Sequence, residues 1–279
     1  MDLTFANQIT EKLNKLITER KSEDFTGDLK VGVDLGTANI VIAVIDEDNN
    51  PIAGVSKEAR VVKDGIVVDY INAVDILKKL KLDIESIIGK KLYKCSTAIP
   101  PGIIEGNKKV ICNVVEGAGF EVTNVVDEPT AAAKTLGLKD GTVVDVGGGT
   151  TGVSILKNGK VEYVVDEATG GTHMTLVLGG AYGLSFEEAE KLKRDISREN
   201  EVFIVIKPVI DKMASIVKKA IKNHDTDDIY VVGGACSFKK FEKVFYEQIG
   251  IKVSKPLNPL LITPIGIAML SQEWGVKNG

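Results

Sequence analysis

Two stretches of the chain set a carboxylate at the end of an apolar run, follow it with a glycine–threonine turn, and leave on a second apolar run. One is V-V-D-V-G-G-G-T-T-G-V-S-I-L, residues 143–156; the other is L-K-V-G-V-D-L-G-T-A-N-I-V-I-A-V-I, residues 29–45. In the first, Gly147, Gly148 and Gly149 let the backbone turn tightly and present bare N–H groups, Thr150 and Thr151 add hydroxyls, and Asp145 stands at the strand end. Such a loop suits the phosphates of a nucleotide, with the carboxylate managing a magnesium ion. In the second, Asp34 precedes Gly36, Thr37, Ala38 and Asn39. A single Asp beside a turn is more often a turn-former than a ligand. Two at equivalent places in a repeat favour a shared ligand, because converging carboxylates repel unless a cation sits between them.

The repeat extends further. After the loop at Asp34 comes the turn 46–51 and a returning strand at Ile52 to Val55; after the loop at Asp145 come the turn Asn158-Gly159 and the strand Val161 to Val165. The chain reads as a duplicated β-β-β unit followed by helices, each copy offering one phosphate loop. Gly147, Gly149 and Gly152 also satisfy G-x-G-x-x-G, with Glu167 some way on. That dinucleotide fingerprint demands a helix directly after the glycines. Here V-S-I-L-K-N-G-K-V-E-Y comes next and reads as a β-hairpin, so the dinucleotide reading is set aside. No Gly-Lys-Ser/Thr follows a glycine-rich loop, so the Walker pattern is absent too.

Two further places can carry chemistry. Glu128, in D-E-P-T-A-A-A, either caps a helix or orients an attacking water, as phosphoryl transfer requires. Gly233-Gly234, after the buried strand D-I-Y-V-V, is either a turn or a point where a purine and ribose approach the backbone. Cys95, Cys112 and Cys236 are scattered singly and read as reduced, mostly buried thiols without zinc or disulfide spacing.

The elements that must position these residues can be read from periodicity. Phe5, Ile9, Leu13, Leu16 and Ile17 predict an amphipathic helix over 4–20, packed on the body of the protein or offered to a partner. Between the copies the sequence predicts a strand–turn–strand at 60–70, a helix at 72–88, a strand at 95–99, a helix at 106–116, a strand ending near Val126 and a helix from Thr130 to Leu136. After the second copy comes the pair Gly170-Gly171, the stretch up to Leu184 is left without an assigned element, and a helix is predicted from Ser185 to Ile196, with Ser185 and Glu188 as a capping box. Helices at 202–223 and 238–248, strands at 228–234 and 252–254, and a last helix from Pro264 to Trp274 complete the reading. With 279 residues, 44% apolar and 27% charged, the chain fits an ordinary globular protein of two modest domains. A net charge of −4 without a dense basic run speaks against nucleic acid as the partner. No apolar run reaches the length of a membrane span, and the first residues lack the pattern of a signal peptide, which predicts a cytoplasmic protein.

Five segments, in order, resemble the five ATP-site motifs of the superfamily that unites actin, the DnaK chaperones and the sugar kinases. V-G-V-D-L-G-T-A-N (31–39) and V-D-V-G-G-G-T-T (144–151) look like its two phosphate motifs. D-E-P-T-A-A-A (127–133) and T-P-I-G-I-A-M-L (263–270) look like its connecting motifs, and I-Y-V-V-G-G-A (229–235) its adenosine motif. V-K-D-G-I-V-V-D (62–69) and A-E-K-L-K (189–193) are similar to segments of the bacterial actins MreB and FtsA. D-E-A-T-G-G-T-H (166–173) and E-E-A-E-K-L-K-R (187–194) resemble the compact, chaperone-like EutJ family of ethanolamine utilisation.

The resemblance implies an α/β protein with a duplicated ribonuclease-H-like, actin-like ATPase fold: two lobes with a nucleotide cleft. Residues 1–26 would form an N-terminal helix and connector, 27–138 lobe I together with the C-terminal helix in 263–279, and 139–262 lobe II. It implies ATP or ADP with Mg2+. Asp34 and Asp145 would hold the metal through water. Gly36, Thr37, Ala38 and Asn39 would wrap the phosphates from one side and Gly147, Gly148, Gly149 and Thr150 from the other. Glu128, with Asp145 and Thr150, would serve the chemistry. Gly233 and Gly234 would contact adenosine, and Glu190 and Lys193 the ribose; the plain alternative for these two is a solvated helix face. The function implied is a weak ATPase that assists ethanolamine ammonia-lyase or the components of a bacterial microcompartment. An actin-like polymerising scaffold is the alternative, and a small-molecule kinase a more distant one. The DnaK pattern carries an Asp where this chain has Gly152, and no DnaK-type catalytic lysine is visible; Lys63 is the nearest basic residue. Both departures imply slow hydrolysis. The short stretch after the last motif implies no DnaK-type substrate-binding domain.

Overall fold

The computed structural model describes residues 2–63 and 65–271. The chain divides into two compact units, one of Met1–Lys139 with Pro256–Gly279, the other of Asp140–Lys255.

The first unit begins with helix α1 (Thr4–Glu19) and the hairpin strands β1 (Lys30–Leu35), β2 (Asn39–Ile45) and β3 (Pro51–Glu58). A small hairpin of β4 (Val62–Lys63) and β5 (Ile66–Val67) leads to α2 (Tyr70–Ile88), β6 (Lys94–Ile99), α3 (Glu105–Gly117), β7 (Glu121–Asp127) and α4 (Glu128–Leu136). The strands form one sheet in the order β3-β2-β1-β6-β7, with β1 antiparallel to β2 and parallel to β6. The second unit repeats this with β8 (Gly141–Val146), β9 (Thr151–Lys157) and β10 (Lys160–Glu167). Then come α5 (Gly171–Tyr182), α6 (Phe186–Arg194), α7 (Glu199–Ile221), β11 (Asp228–Val232), α8 (Phe241–Ile249) and β12 (Lys252–Ser254). Its sheet runs β10-β9-β8-β11-β12, the same order and the same directions. Asp34 and Asp145 are each the fifth residue of a six-residue central strand. The last helix, α9 (Ile262–Met269), belongs to the first unit.

Each unit has its own core. In the first, α2 and α3 bury Leu77, Leu80, Ile84, Val114 and Val115 against the strand residues Val33, Ile40 and Ile42. On the other face of that sheet, α1 sets Ile9 and Leu13 against Val41, Ala43 and Ile265. A side chain at Gly54 would fall 2.7 Å from Leu13 Cδ1, so a bare backbone on β3 is what lets α1 lie this close. Ile9, Leu13 and Leu16 of α1 are therefore spent on the body of the protein, while Phe5 in its first turn stays exposed. In the second unit, α7 supplies Val202, Ile206, Ile210, Met213 and Val217 to a core shared with Val144, Val146, Val153 and Val231.

Two differences from the sequence reading have physical causes. The stretch 171–182 is helical although no helix was expected there. Its glycines and β-branched residues weaken any local signal, and packing decides instead: Met174 and Leu178 are fully buried. Gly179 lets the helix approach Leu184, where a Cβ would meet the carbonyl oxygen at 3.1 Å. The last helix ends at Met269 rather than running to Trp274, and residues 272–274 lie outside the described residues, as does Asp64 of the 62–69 motif. The three cysteines are free thiols; Cys95 and Cys236 are buried, which pushes both thiols far up, and Cys112 is half-buried.

Candidate functional site

In the second unit, β8 carries Asp145 to the mouth of the loop 147–150. The loop is closed by the N–H of Gly147 donating to the Thr150 carbonyl at 3.0 Å. The N-terminal turn of α5 grips the loop from one side: the N–H groups of Gly171 and Thr172 donate to the carbonyls of Gly147 (3.0 Å) and Gly148 (2.7 Å). A planar trans peptide sets each N–H opposite the carbonyl it is joined to. The N–H groups of Gly148 and Gly149 therefore point away from α5, and among the described residues no protein acceptor takes them. Successive unclaimed N–H groups of this kind make an anion-binding concavity.

The grip depends on close contact. A Cβ at Gly170 would lie 2.6 Å from Gly149 C and 2.8 Å from Gly147 O, so the loop rests directly on a bare backbone. His173 Nδ1 accepts the Gly170 N–H at 3.2 Å and closes the helix end. Of the two threonines after the glycines, Thr151 is buried and donates its hydroxyl to the Thr169 carbonyl at 2.6 Å. Thr151 is thereby structural, whereas Thr150 stays half-buried in the loop.

Glu190 and Lys193 of α6 reach the same place through α5. Lys193 Nζ donates to the Gly171 carbonyl (3.0 Å), to Thr175 Oγ1 (2.7 Å) and to Glu190 Oε2 (2.7 Å). Glu190 accepts further bonds from Thr175 Oγ1 (2.5 Å) and Arg194 Nε (2.7 Å). Burial by itself would raise the Glu190 carboxyl. The bond and charge of Lys193, then the bonds from Thr175 and Arg194, outweigh it and hold the group at about 2. Both side chains are only 13% exposed, so this is no solvated helix face.

Gly233 follows β11 with φ 90°, and a Cβ there would fall on Asp145 Oδ1. The Asp145 carboxylate thus occupies space that only glycine leaves open. Gly234 begins a single helical turn, 234–236, in which Cys236 Sγ bonds the Gly233 carbonyl at 3.1 Å.

In the first unit, the turn 36–39 joins β1 to β2 just beyond Asp34, which pairs with Val41. A Cβ at Gly36 would stand 2.8 Å from the Asn39 carbonyl oxygen, and the Ala38 carbonyl accepts the Ala59 N–H at 3.2 Å. Thr97 of β6 donates to the Val33 carbonyl at 2.9 Å and steadies the strand before the turn. Glu128 is the first residue of α4, and its neighbour Asp127 is the cap. Asp127 Oδ1 accepts the Thr130 N–H at 2.9 Å and Oδ2 the Thr130 hydroxyl at 2.7 Å. Capping therefore does not account for Glu128.

Among the described residues no group of three or more His, Cys, Asp or Glu gathers as a metal cage. One carboxylate per loop, oxygen donors only, suits Mg2+, which keeps most of its waters and takes the rest of its shell from phosphate.

The profile of the Hsp70 protein family matches residues 58–181, and that of the type IV pilus assembly protein PilM matches residues 129–262. The ethanolamine utilization protein EutJ of Escherichia coli (strain K12) is 42% identical over 246 residues, 88% of this chain and 87% of that protein. The chain belongs to the EutJ family. The crystal structure of EutJ from Carboxydothermus hydrogenoformans matches with a TM-score of 0.93 at 48% identity, covering 96% of this chain and 99% of that one. MreB 5 of Spiroplasma citri, solved bound to AMPPNP, is alike in fold, with a TM-score of 0.69 at 18% identity over 88% of this chain and 96% of that one. This EutJ-family chain therefore has the duplicated ribonuclease-H-like fold of the actin-like ATPases.

Several residues that shape the EutJ-family loop escape sequence reasoning. His173 and Thr175 lie in the segment where no helix was expected, Thr169 and Gly170 come just before it, and the cue for them was the Gly-Gly pair set before a threonine. Among the described residues no helix is long and apolar enough to cross a membrane.

Proposed function

We propose that this EutJ-family chain binds ATP with Mg2+, hydrolyses it slowly and uses the nucleotide as a chaperone-like switch in ethanolamine utilisation. The observation that carries the reading is the loop at 147–150, whose carbonyls are gripped by α5 and whose Gly148 and Gly149 N–H groups have no protein acceptor among the described residues. The likeness in fold to MreB 5, solved with AMPPNP and with ADP, supports it.

In this reading Gly147, Gly148, Gly149 and Thr150 take phosphate oxygens, with Gly36, Thr37, Ala38 and Asn39 as the counterpart loop. Gly233 and Gly234 contact adenosine, and Glu190 and Lys193 the ribose. Asp34 and Asp145 hold waters of the metal, which when bound neutralises phosphate charge. Glu128 orients the attacking water. ATP offers a γ-phosphate that ADP lacks, so the two nucleotides shift the chain between states by their difference in contacts. The client is ethanolamine ammonia-lyase, alone or within a microcompartment in the cytoplasm.

The test is hydrogen exchange at residues 36–39 and 147–152 with Mg-ATP and with Mg-ADP, joined to capture of the purified lyase in each state. Stronger protection and altered capture with ATP support the switch. Equal protection by both nucleotides overturns it, and nucleotide-dependent pelleting without lyase capture points to a polymerising scaffold instead.

A further inference from the structure

Asp145, Gly152 and Asp166 lie in one row across three adjacent strands: Asp145 of β8 pairs with Gly152 of β9, which pairs with Asp166 of β10. Residues directly opposite each other in antiparallel strands point to the same face. The two carboxylates therefore share a face of the sheet, separated by a residue with no side chain. Asp166 leans across that gap: its Oδ1 stands 3.5 Å from where a Cβ of Gly152 would be.

This register is made by a bulge. At the hairpin end Lys160 pairs with Lys157 and Val161 with Leu156, but beyond the bulge Tyr163 pairs with Ile155 and Asp166 with Gly152. Without the extra residue Val165 would stand opposite Gly152, and Asp166 would belong to the opposite face. From Asp166 the chain runs through Thr169, which holds Thr151, to Gly170, on which the glycine loop rests. The placement of Asp166 and that of the loop are thus set by the same few residues.

We infer that Asp166 is a further positioning residue of the nucleotide site, a carboxylate that accepts a hydrogen bond from the water shell of the metal beside Asp145. The inference rests on the proposed nucleotide binding. Asp166 adds a second carboxylate to the face on which Asp145 stands, so it couples nucleotide affinity to magnesium rather than to the nucleotide itself.

The test measures ATP affinity by titration calorimetry, with Mg2+ and with EDTA, for the full chain, for Asp166→Asn, and for Asp166→Ala combined with Gly152→Asp. Gly152 has an ordinary backbone conformation, and a Cβ there makes no contact closer than 3.5 Å, so the strand accepts a side chain at that place. Asp166→Asn is expected to weaken Mg-ATP binding about tenfold, the scale of one charge-assisted hydrogen bond, and to leave metal-free binding unchanged. The double variant is expected to recover most of the loss, since it moves the carboxylate one strand over. Mg-ATP affinity unchanged in Asp166→Asn, or an equal loss with and without Mg2+, overturns the assignment while nucleotide binding stands. A full chain that binds no nucleotide overturns the proposed function and this inference together.

Discussion

Lys193 Nζ donates a 3.0 Å hydrogen bond to the carbonyl of Gly171, the residue whose own N–H holds the carbonyl of Gly147. A side chain on α6 thereby acts on the glycine loop through a single backbone residue. Lys193→Met removes three hydrogen bonds at a buried site. It is expected to cost about 3 kcal/mol, or roughly 6–12 °C in Tm, with weaker nucleotide binding. Calorimetry of the nucleotide-free protein checks this. A Tm equal to wild type would leave Lys193 as a ligand contact only.

Acid should act through the partner of that lysine. Glu190 titrates at about 2 in the folded chain against the ordinary 4.5. Between those values the unfolded state binds more protons than the folded one. The stability the carboxylate contributes is therefore complete above about pH 4.5 and is lost as pH falls through about 2. The full shift corresponds to about 3 kcal/mol. The Tm gap between wild type and Glu190→Gln should be wide at pH 7 and narrow toward pH 3; a gap constant over that range would count against the ion cluster.

Glu85 predicts the same direction for the first unit. It accepts bonds from Lys81 (2.5 Å), Lys91 (2.9 Å) and the Leu92 N–H (2.9 Å). Against its burial, these bonds hold it at about 2. Glu85→Ala leaves the Leu92 N–H without its partner and should cost about 2 kcal/mol or more in urea denaturation, with nucleotide affinity unaltered.

Gly170→Ala and Gly180→Ala should part company. The methyl at 170 would press on the glycine loop at 2.6 Å, whereas at 180 nothing lies within 4 Å. The first is expected to cost about 1–3 kcal/mol and most of the nucleotide affinity. The second should stabilise α5 by about 1 kcal/mol, as helix propensity dictates, with affinity unchanged. Thermal shift with and without Mg-ATP separates the two effects.

Much of the fold was legible because each copy announces itself locally. A carboxylate, a glycine–threonine turn and a second apolar run recur, and the Ser185–Glu188 capping box marks α6, which the structure shows with both bonds made. What was not legible depends on contacts distant in sequence. Helix α5 exists because Met174 and Leu178 find a core, not because its residues favour a helix. The choice between Asp127 and Glu128 as cap is one of side-chain direction, which spacing does not reveal. The pairing of Asp166 with Gly152 hangs on one bulged residue, and a strand read from alternation alone cannot show it.

The second unit is one uninterrupted length, Asp140–Lys255, while the first is built from two lengths that the second separates. Its closing piece, α9, packs Ile265 on Val41 and Ala43, and Ile267 on Ala98 and Ala131. The fit there is tight enough that a Cβ at Gly266 would fall on the Ala131 carbonyl. During synthesis the second unit can fold as soon as it leaves the ribosome. The first must wait, with part of a sheet face uncovered, until α9 has been made. A chain cut before residue 262 would therefore hold a sound second unit joined to an unfinished first one, and a pause in translation just before α9 would prolong the exposure of that face.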